Sequence, residues 1–293
     1  MVTTTPVTGS NTPYGIKQYA HPVIDFKRSK QYTLSIRLST DGFCFAVHNP
    51  QSADQYAYQP YRINTHQSMT ANLKAAIETT ELLRHHYGEV NILLSQAPYT
   101  IVPKEYYAEQ CAHDIFVQNF PQAAANTQIL TNIVSEEQAI VLFGMEHQLH
   151  KFITERYPTA KIYASISPLI DHAVERSYTQ SGKPYCLAHL HKRGTDLLCI
   201  SNGALQFVNT FDNPDTGDAI YYLLNCWQMM GLSQTDDTLH IAGTVRHAKA
   251  LTKELGRFIK HIHTVRPAEE FHSTELARID EIPFDLQTLI SCE

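Results

Sequence analysis

The chain of 293 residues lacks most short signatures that mark an enzyme class. It has no HExxH, GxSxG, Walker-type phosphate loop or GxGxxG, and no paired-acid signature, so zinc peptidases, serine hydrolases, P-loop ATPases and dinucleotide enzymes find no mark here. Basic residues are short too: 23 Lys and Arg stand against 29 Asp and Glu, a net charge of −6, which counts against a nucleic-acid binder. No apolar run approaches the roughly 18–20 residues of a membrane-crossing helix. The opening "MVTTTPVTGSNTPYG" lacks a charged-then-apolar leader pattern, and a cytoplasmic protein without a membrane span is expected. The six cysteines are scattered with no CxxC pair, and four sit in apolar runs where a free thiol behaves as a small hydrophobe.

What remains is patterned. Residues 1–29 are rich in Thr, Pro, Gly and Asn without periodicity and read as a flexible arm. "QYTLSIRLS" (Gln31–Ser39) alternates with period two, "TDG" supplies turn chemistry, and "FCFAVHN" returns as a second strand. "QYAYQPYRI" is a third strand that Pro60 confines to an edge or cuts short. Helical spacing runs from Ser68 to Gly88, and a second helix is expected through "KEYYAEQCAHDIFVQNF" after Pro103. "VNILLS" is a short buried-type strand, "TQILTNIV" and "QAIVLFGM" read as a strand pair, and a helix over "EHQLHKFITERYP", a strand at "KIYAS" and a helix stopped by Gly182 follow. The pattern then restarts with "YCLAHLH", "TDLLCIS" and "ALQFVNTF", followed by helix, strand, helix and strand. The expected organisation is α/β and duplicated, with domains over 30–182 and 183–293 and a C-terminal segment, 271–293, able to pack back on the first.

Three hairpin strands, a helix, then alternating strands and helices, occurring twice, is similar to the actin-like ATPase architecture of actin, Hsp70, sugar kinases and pilus-assembly ATPases. The chain also resembles an uncharacterised bacterial family of unknown function with that fold, in which phrases such as "VPKEYY" recur. The resemblance implies two ribonuclease-H-like domains with mixed sheets flanked by helices, and ATP with Mg²⁺ held between them by a phosphate loop from each first hairpin. Laid on this chain, the first loop puts Arg37 at the usual aspartate and Ser39 at the usual glycine, ahead of Asp41 and Gly42 at the turn. The second aligns with "HLHKRGTD": His189 replaces the aspartate, His191, Lys192 and Arg193 replace the glycine run, Gly194 stands at a threonine, and Thr195 and Asp196 are kept. The adenosine turn keeps Gly243 and has Thr244 for the second glycine.

Glycines in such loops let backbone N–H groups approach phosphate oxygens, and the aspartates orient Mg²⁺ and water. Their replacement argues against hydrolysis by the family route. "HLHKRGTD" reads foremost as a solvated hairpin tip. Its rivals are an anion site through Lys192, Arg193 and the Gly194 amide, and a metal site through His189 and His191, which lacks further ligands. Arg37, charged within an apolar strand, needs either an open cleft or an acid such as Asp196 or Asp212. The expectation is therefore a binding or scaffold protein with an unspecified protein partner, no catalytic residue, no metal and no cofactor. The alternative is a nucleotide or phosphometabolite binder with weak ATPase or kinase activity, and a ribonuclease-H-type metal hydrolase lacks the carboxylates it would need.

Overall fold

A computed structural model describes residues 19–21, 24–136, 138–212, 215–243, 245–271 and 275–291. In chain order the first half contains β1 (Tyr19–His21), β2 (Thr33–Ser39), β3 (Gly42–Asn49), β4 (Ser52–Tyr61), α1 (Met69–Thr79) and β5 (Glu89–Leu94). It continues with β6 (Tyr99–Pro103), α2 (Ala112–Asn119), β7 (Thr127–Val134), β8 (Ala139–Glu146), α3 (His147–Arg156), β9 (Lys161–Ala164) and α4 (Ile166–Ser177). The second half contains β10 (Tyr185–His191), β11 (Gly194–Ser201), β12 (Ala204–Asp212), α5 (Thr216–Met229), β13 (Thr238–Gly243) and α6 (Val245–Leu255). It ends with β14 (His261–Thr264), α7 (Pro267–Glu270) and α8 (Phe284–Ser291).

The duplication is visible in strand order. The first sheet runs β1-β4-β3-β2-β5-β9 and the second β12-β11-β10-β13-β14. Apart from β1, each is an antiparallel meander of three followed by two parallel strands. Strands β6, β8 and β7 form a separate three-stranded antiparallel sheet, which periodicity alone does not distinguish from the main one. Together these make a mixed α/β protein of two multi-stranded sheets flanked by helices.

Three expectations need correction. Within the supposed arm, Tyr19–His21 adds an edge strand to β4, because three residues of extended chain satisfy an otherwise open edge. This makes β4 internal over Tyr56–Tyr58, whereas Pro60, with no N–H to donate, lies beyond that pairing. The helix expected to reach Gly88 stops at Thr79: Thr80 is extended (φ −108°, ψ 118°), and a 3-10 turn over Glu81–Leu83 buries Leu82 and Leu83. The segment after Pro103 makes two 3-10 turns before α2, with Tyr107 extended between them.

Packing explains where the site lies. Leu34, Ile36 and Leu38 of β2 face a core shared with α1 and α3. The other face of this sheet is covered from the far end of the chain: Cys44, Ala46, Tyr58 and Leu93 pack against Leu276, Ile279, Leu286, Leu289 and Ile290. Helix α8 is buried from Phe284 to Ile290, its polar residues Asp285, Gln287 and Thr288 included. Burying Phe284, Leu286, Leu289 and Ile290 contributes roughly 6–12 kcal/mol before entropy is counted. That is enough to hold a charged group in an unfavourable place.

Candidate functional site

The two first hairpins, β2–β3 and β10–β11, face each other across the junction of the two sheets, and α8 begins between them. Arg37 points from β2 under α8 and is 7% exposed. Its Nε donates to both carboxylate oxygens of Asp285 (2.8 and 2.9 Å), and Nη2 donates to Ser95 Oγ (2.9 Å). The Asp285 side chain is fully buried and also accepts from the Leu286 amide at 2.9 Å. Burial opposes charge on Arg37, but the Asp285 carboxylate outweighs it and the guanidinium pKa rises. The acid that pairs with Arg37 is thus Asp285, neither Asp196 nor Asp212, and the strand charge is not facing an open cleft. The neighbouring residue, Phe284, sets its ring 6.1 Å from that of His189, so one turn of α8 touches both hairpins.

In the second hairpin, register places His189 opposite Asp196. His189 Nδ1 lies 2.9 Å from Asp196 Oδ2, and Thr210 Oγ1 donates to Oδ1 at 2.7 Å. The single Thr210 proton is thereby committed, so in its 2.9 Å contact with Tyr99 the phenol is the donor. His191 Nε2 stands 3.5 Å from Asp196 Oδ1. Burial alone would raise the Asp196 pKa, but the bonds to His189 and His191 hold its carboxyl well below the usual range. For His191 the balance of burial against Asp196 leaves its pKa raised.

Gln96 joins the hairpins. Thr40 Oγ1 donates to Gln96 Oε1 (2.9 Å), which leaves Gln96 Nε2 to donate to His191 Nδ1 (3.2 Å). The backbone of Gln96 holds φ at +63°, a conformation that costs a side-chain-bearing residue energy and concentrates at functional sites. Beside this bridge lies a cavity of about 220 Å³ whose lining includes Gln96, Tyr99, Ser165, His191, Asp196 and Asp212.

The remaining sequence candidates separate. Lys192 and Arg193 occupy the exposed tip of the hairpin and do not line that cavity. Asp41 is exposed and hydrogen-bonds Ser39 Oγ, while Gly42 merely opens β3. Thr195 is buried in β11. The two glycines have packing reasons. A Cβ on Gly194 would come within 2.2 Å of the Phe211 carbonyl oxygen, and one on Gly243 (φ +111°) within 2.1 Å of that of Leu190. Both sit where paired backbones touch, and neither needs a phosphate to explain it. Thr244 lies outside the described residues. His189 and His191 share a strand face, but among the described residues no cluster of three or more His, Cys, Asp or Glu is placed to hold a metal. Sequence reasoning missed Gln96, Tyr99, Thr210 and Asp285, each ordinary in its local context and meaningful only through contacts distant in sequence.

This geometry meets its relatives here. Residues 21–262 match the protein family of unknown function DUF3822. The chain belongs to that family. A crystal structure of a Bacteroides thetaiotaomicron protein with an actin-like ATPase fold and unknown function is 33% identical. It superposes with a TM-score of 0.80 over 92% of this chain and all of that one. PilM of the PilM–PilN type IV pilus biogenesis complex is similar at 14% identity and TM-score 0.55, covering 88% of this chain and 97% of that one, a likeness of fold alone. No curated protein matches the chain. The DUF3822 chain therefore has the actin-like ATPase fold. No helix among its described residues is long and apolar enough to cross a membrane.

Proposed function

We propose that this DUF3822 protein has given up ATP hydrolysis and acts in the cytoplasm as a binding or scaffold protein built from two ribonuclease-H-like domains, with a junction near residue 182 and 271–293 returning to the first. One observation carries the reading: Asp285 of α8 neutralises Arg37 at the place where the first phosphate loop of an actin-like ATPase would present its aspartate. A carboxylate locked to Arg37 repels phosphate, and a guanidinium in that position repels Mg²⁺. The Gln96 bridge between Thr40 and His191 ties the two hairpin ends to each other, which supports a cleft closed by the chain's own side chains. The 220 Å³ cavity that remains is smaller than the roughly 300–1,000 Å³ of a drug-sized ligand pocket. PilM, similar to this chain in fold, forms a type IV pilus biogenesis complex with PilN, and a partner-binding role here follows the same pattern.

The test is a thermal-shift and phosphate-release series with ATP, ADP and Mg²⁺ on the full chain. A flat melting temperature and phosphate release no faster than buffer are expected. Saturable stabilisation by nucleotide, lost when the exposed Lys192 and Arg193 are both changed to alanine while the melting temperature without nucleotide holds, would overturn the proposal in favour of a nucleotide or phosphometabolite binder using Lys192, Arg193 and Thr195.

A further inference from the structure

Three of the chain's six cysteines, Cys186, Cys199 and Cys226, are buried in one cluster between the second sheet and the helices α5 and α6. Cys226 reaches it from α5, but the other two meet through the sheet itself. Register sets Cys186 of β10 directly opposite Cys199 of β11, and their Sγ atoms lie 2.9 Å apart. Both are free thiols.

Backbone geometry explains the closeness. The Cys186 carbonyl accepts from His240 Nδ1 of β13 at 3.3 Å, so its peptide edge is turned toward β13 and away from β11. The carbonyl and N–H of one strand residue point to the same side, which makes Cys186 and Cys199 a non-hydrogen-bonded pair. At such pairs Cα atoms stand about 4.5 Å apart and side chains approach most closely. That separation falls inside the range of roughly 4.4–6.8 Å that a disulfide spans. The pair also supplies its own activation. The S–H of Cys186, donated to Cys199, stabilises a thiolate there and lowers the Cys199 pKa against the opposing effect of burial. The same bond, together with burial, pushes the Cys186 thiol up.

We propose that Cys186 and Cys199 are a redox-reactive pair, which hydrogen peroxide converts to a reversible cross-strand disulfide. The Cys199 thiolate attacks one peroxide oxygen and the O–O bond breaks, leaving a sulfenic acid on Cys199 and a hydroxide. The hydroxide takes up the proton that Cys199 released and becomes water. The Cys186 sulfur then attacks the Cys199 sulfur, an S–S bond forms, and the sulfenic hydroxyl leaves with the Cys186 proton as a second water. Two thiols have given up two electrons and two protons, and one peroxide has become two waters. An oxidant little larger than water reaches such a pair through local opening, where a bulkier disulfide would need far more of the fold to part. The bond joins the strands that carry His189, His191 and Asp196, so oxidation stiffens the hairpin that Gln96 ties to the first.

The test is a hydrogen peroxide titration of the reduced full chain. Remaining thiols are then alkylated in denaturant, and the intact chain and its peptides are weighed by mass spectrometry. The expected result is loss of two alkylation sites, a linked peptide containing Cys186 and Cys199, and return of both sites after dithiothreitol. Cys199→Ala leaves Cys186 open to alkylation at the same dose, and Cys226→Ala leaves the linkage unchanged. If an alanine variant loses its cooperative melt, the wild-type peptide map decides alone. Exposed Cys111 serves as the measure of dose. Survival of both Cys186 and Cys199 as free thiols at a dose that consumes Cys111 overturns the proposal. So does linkage of either sulfur to Cys226 or Cys111 in place of the pair, and so does sulfinic acid on Cys199 without linkage.

Discussion

Removing one partner of the Arg37–Asp285 pair should be among the most damaging single changes to this fold. Asp285→Ala leaves a guanidinium 93% buried with the Ser95 hydroxyl as its remaining side-chain acceptor among the described residues. Breaking a buried pair in this way costs about 3–5 kcal/mol, because a charge is left uncompensated where water cannot reach it. At roughly 2–4 °C per kcal/mol for a large domain, the melting temperature falls by roughly 6–20 °C. The pair itself is not worth that much. Replacing both partners with apolar groups of similar volume, Arg37→Met with Asp285→Leu, should come within about 1–2 kcal/mol of wild type or exceed it, since both desolvation penalties disappear together. The assay is a double-mutant cycle by urea denaturation, in which the coupling energy should reach about 3 kcal/mol and survive about 1 M salt, where exposed pairs are screened. The Lys161–Glu89 contact, with side chains 57% and 38% exposed, serves as the control and should couple by less than about 1 kcal/mol. An Asp285→Ala cost below about 1 kcal/mol, or additive effects in the double variant, would refute the view that α8 closes the cleft through this charge.

Other consequences can be checked on the same material. Burial pushes His48 and His240 down to about 4, so the unfolded chain binds more protons than the folded one between that pH and 6.5, and stability is lost as pH falls through this window. Each site contributes roughly 3 kcal/mol by pH 4, and His240→Phe should flatten the acid limb of a melting-temperature profile unless another group governs it. Asp196, with its pKa depressed, holds its contribution down to lower pH still and adds a later loss. Gly194→Ala and Gly243→Ala should each lose several kcal/mol in the absence of any nucleotide, by urea titration, because the new Cβ meets a strand carbonyl; near-native stability would return these glycines to a ligand role. In a timed thiol-labelling experiment Cys111, exposed, should react within the first phase. Cys44, buried with its thiol pushed up to about 12, should wait for unfolding.

The second hairpin sheet was legible almost residue by residue: Tyr185–His191 and Thr238–Gly243 begin and end where alternation and turn residues place them. Local signals suffice there because neighbouring strands in the meander are also neighbours in sequence. The limits of α1 and the 3-10 turns before α2 were not legible, since a residue such as Leu83 is buried by tertiary contact where helical spacing also fits it. The same division runs through the site. "HLHKRGTD" announces His189 facing Asp196, because a tight hairpin fixes its own register. What these residues do depends on Thr210, Tyr99 and Gln96, which no local pattern marks.

Arg37 shows most clearly why period two is an incomplete guide. Thr33, Ser35, Arg37 and Ser39 look like the solvated face of an ordinary half-buried strand, yet every residue of β2 is buried. The covering element lies some 250 residues later, in a helix whose one deeply buried acid, Asp285, is readable as a partner only once Arg37 is known to need one. An unpaired charge on an internal strand is therefore itself a sequence signal. It states that a complementary charge must arrive from elsewhere, either as a ligand or as another part of the chain. In this protein the chain supplies it, through Asp285 of α8.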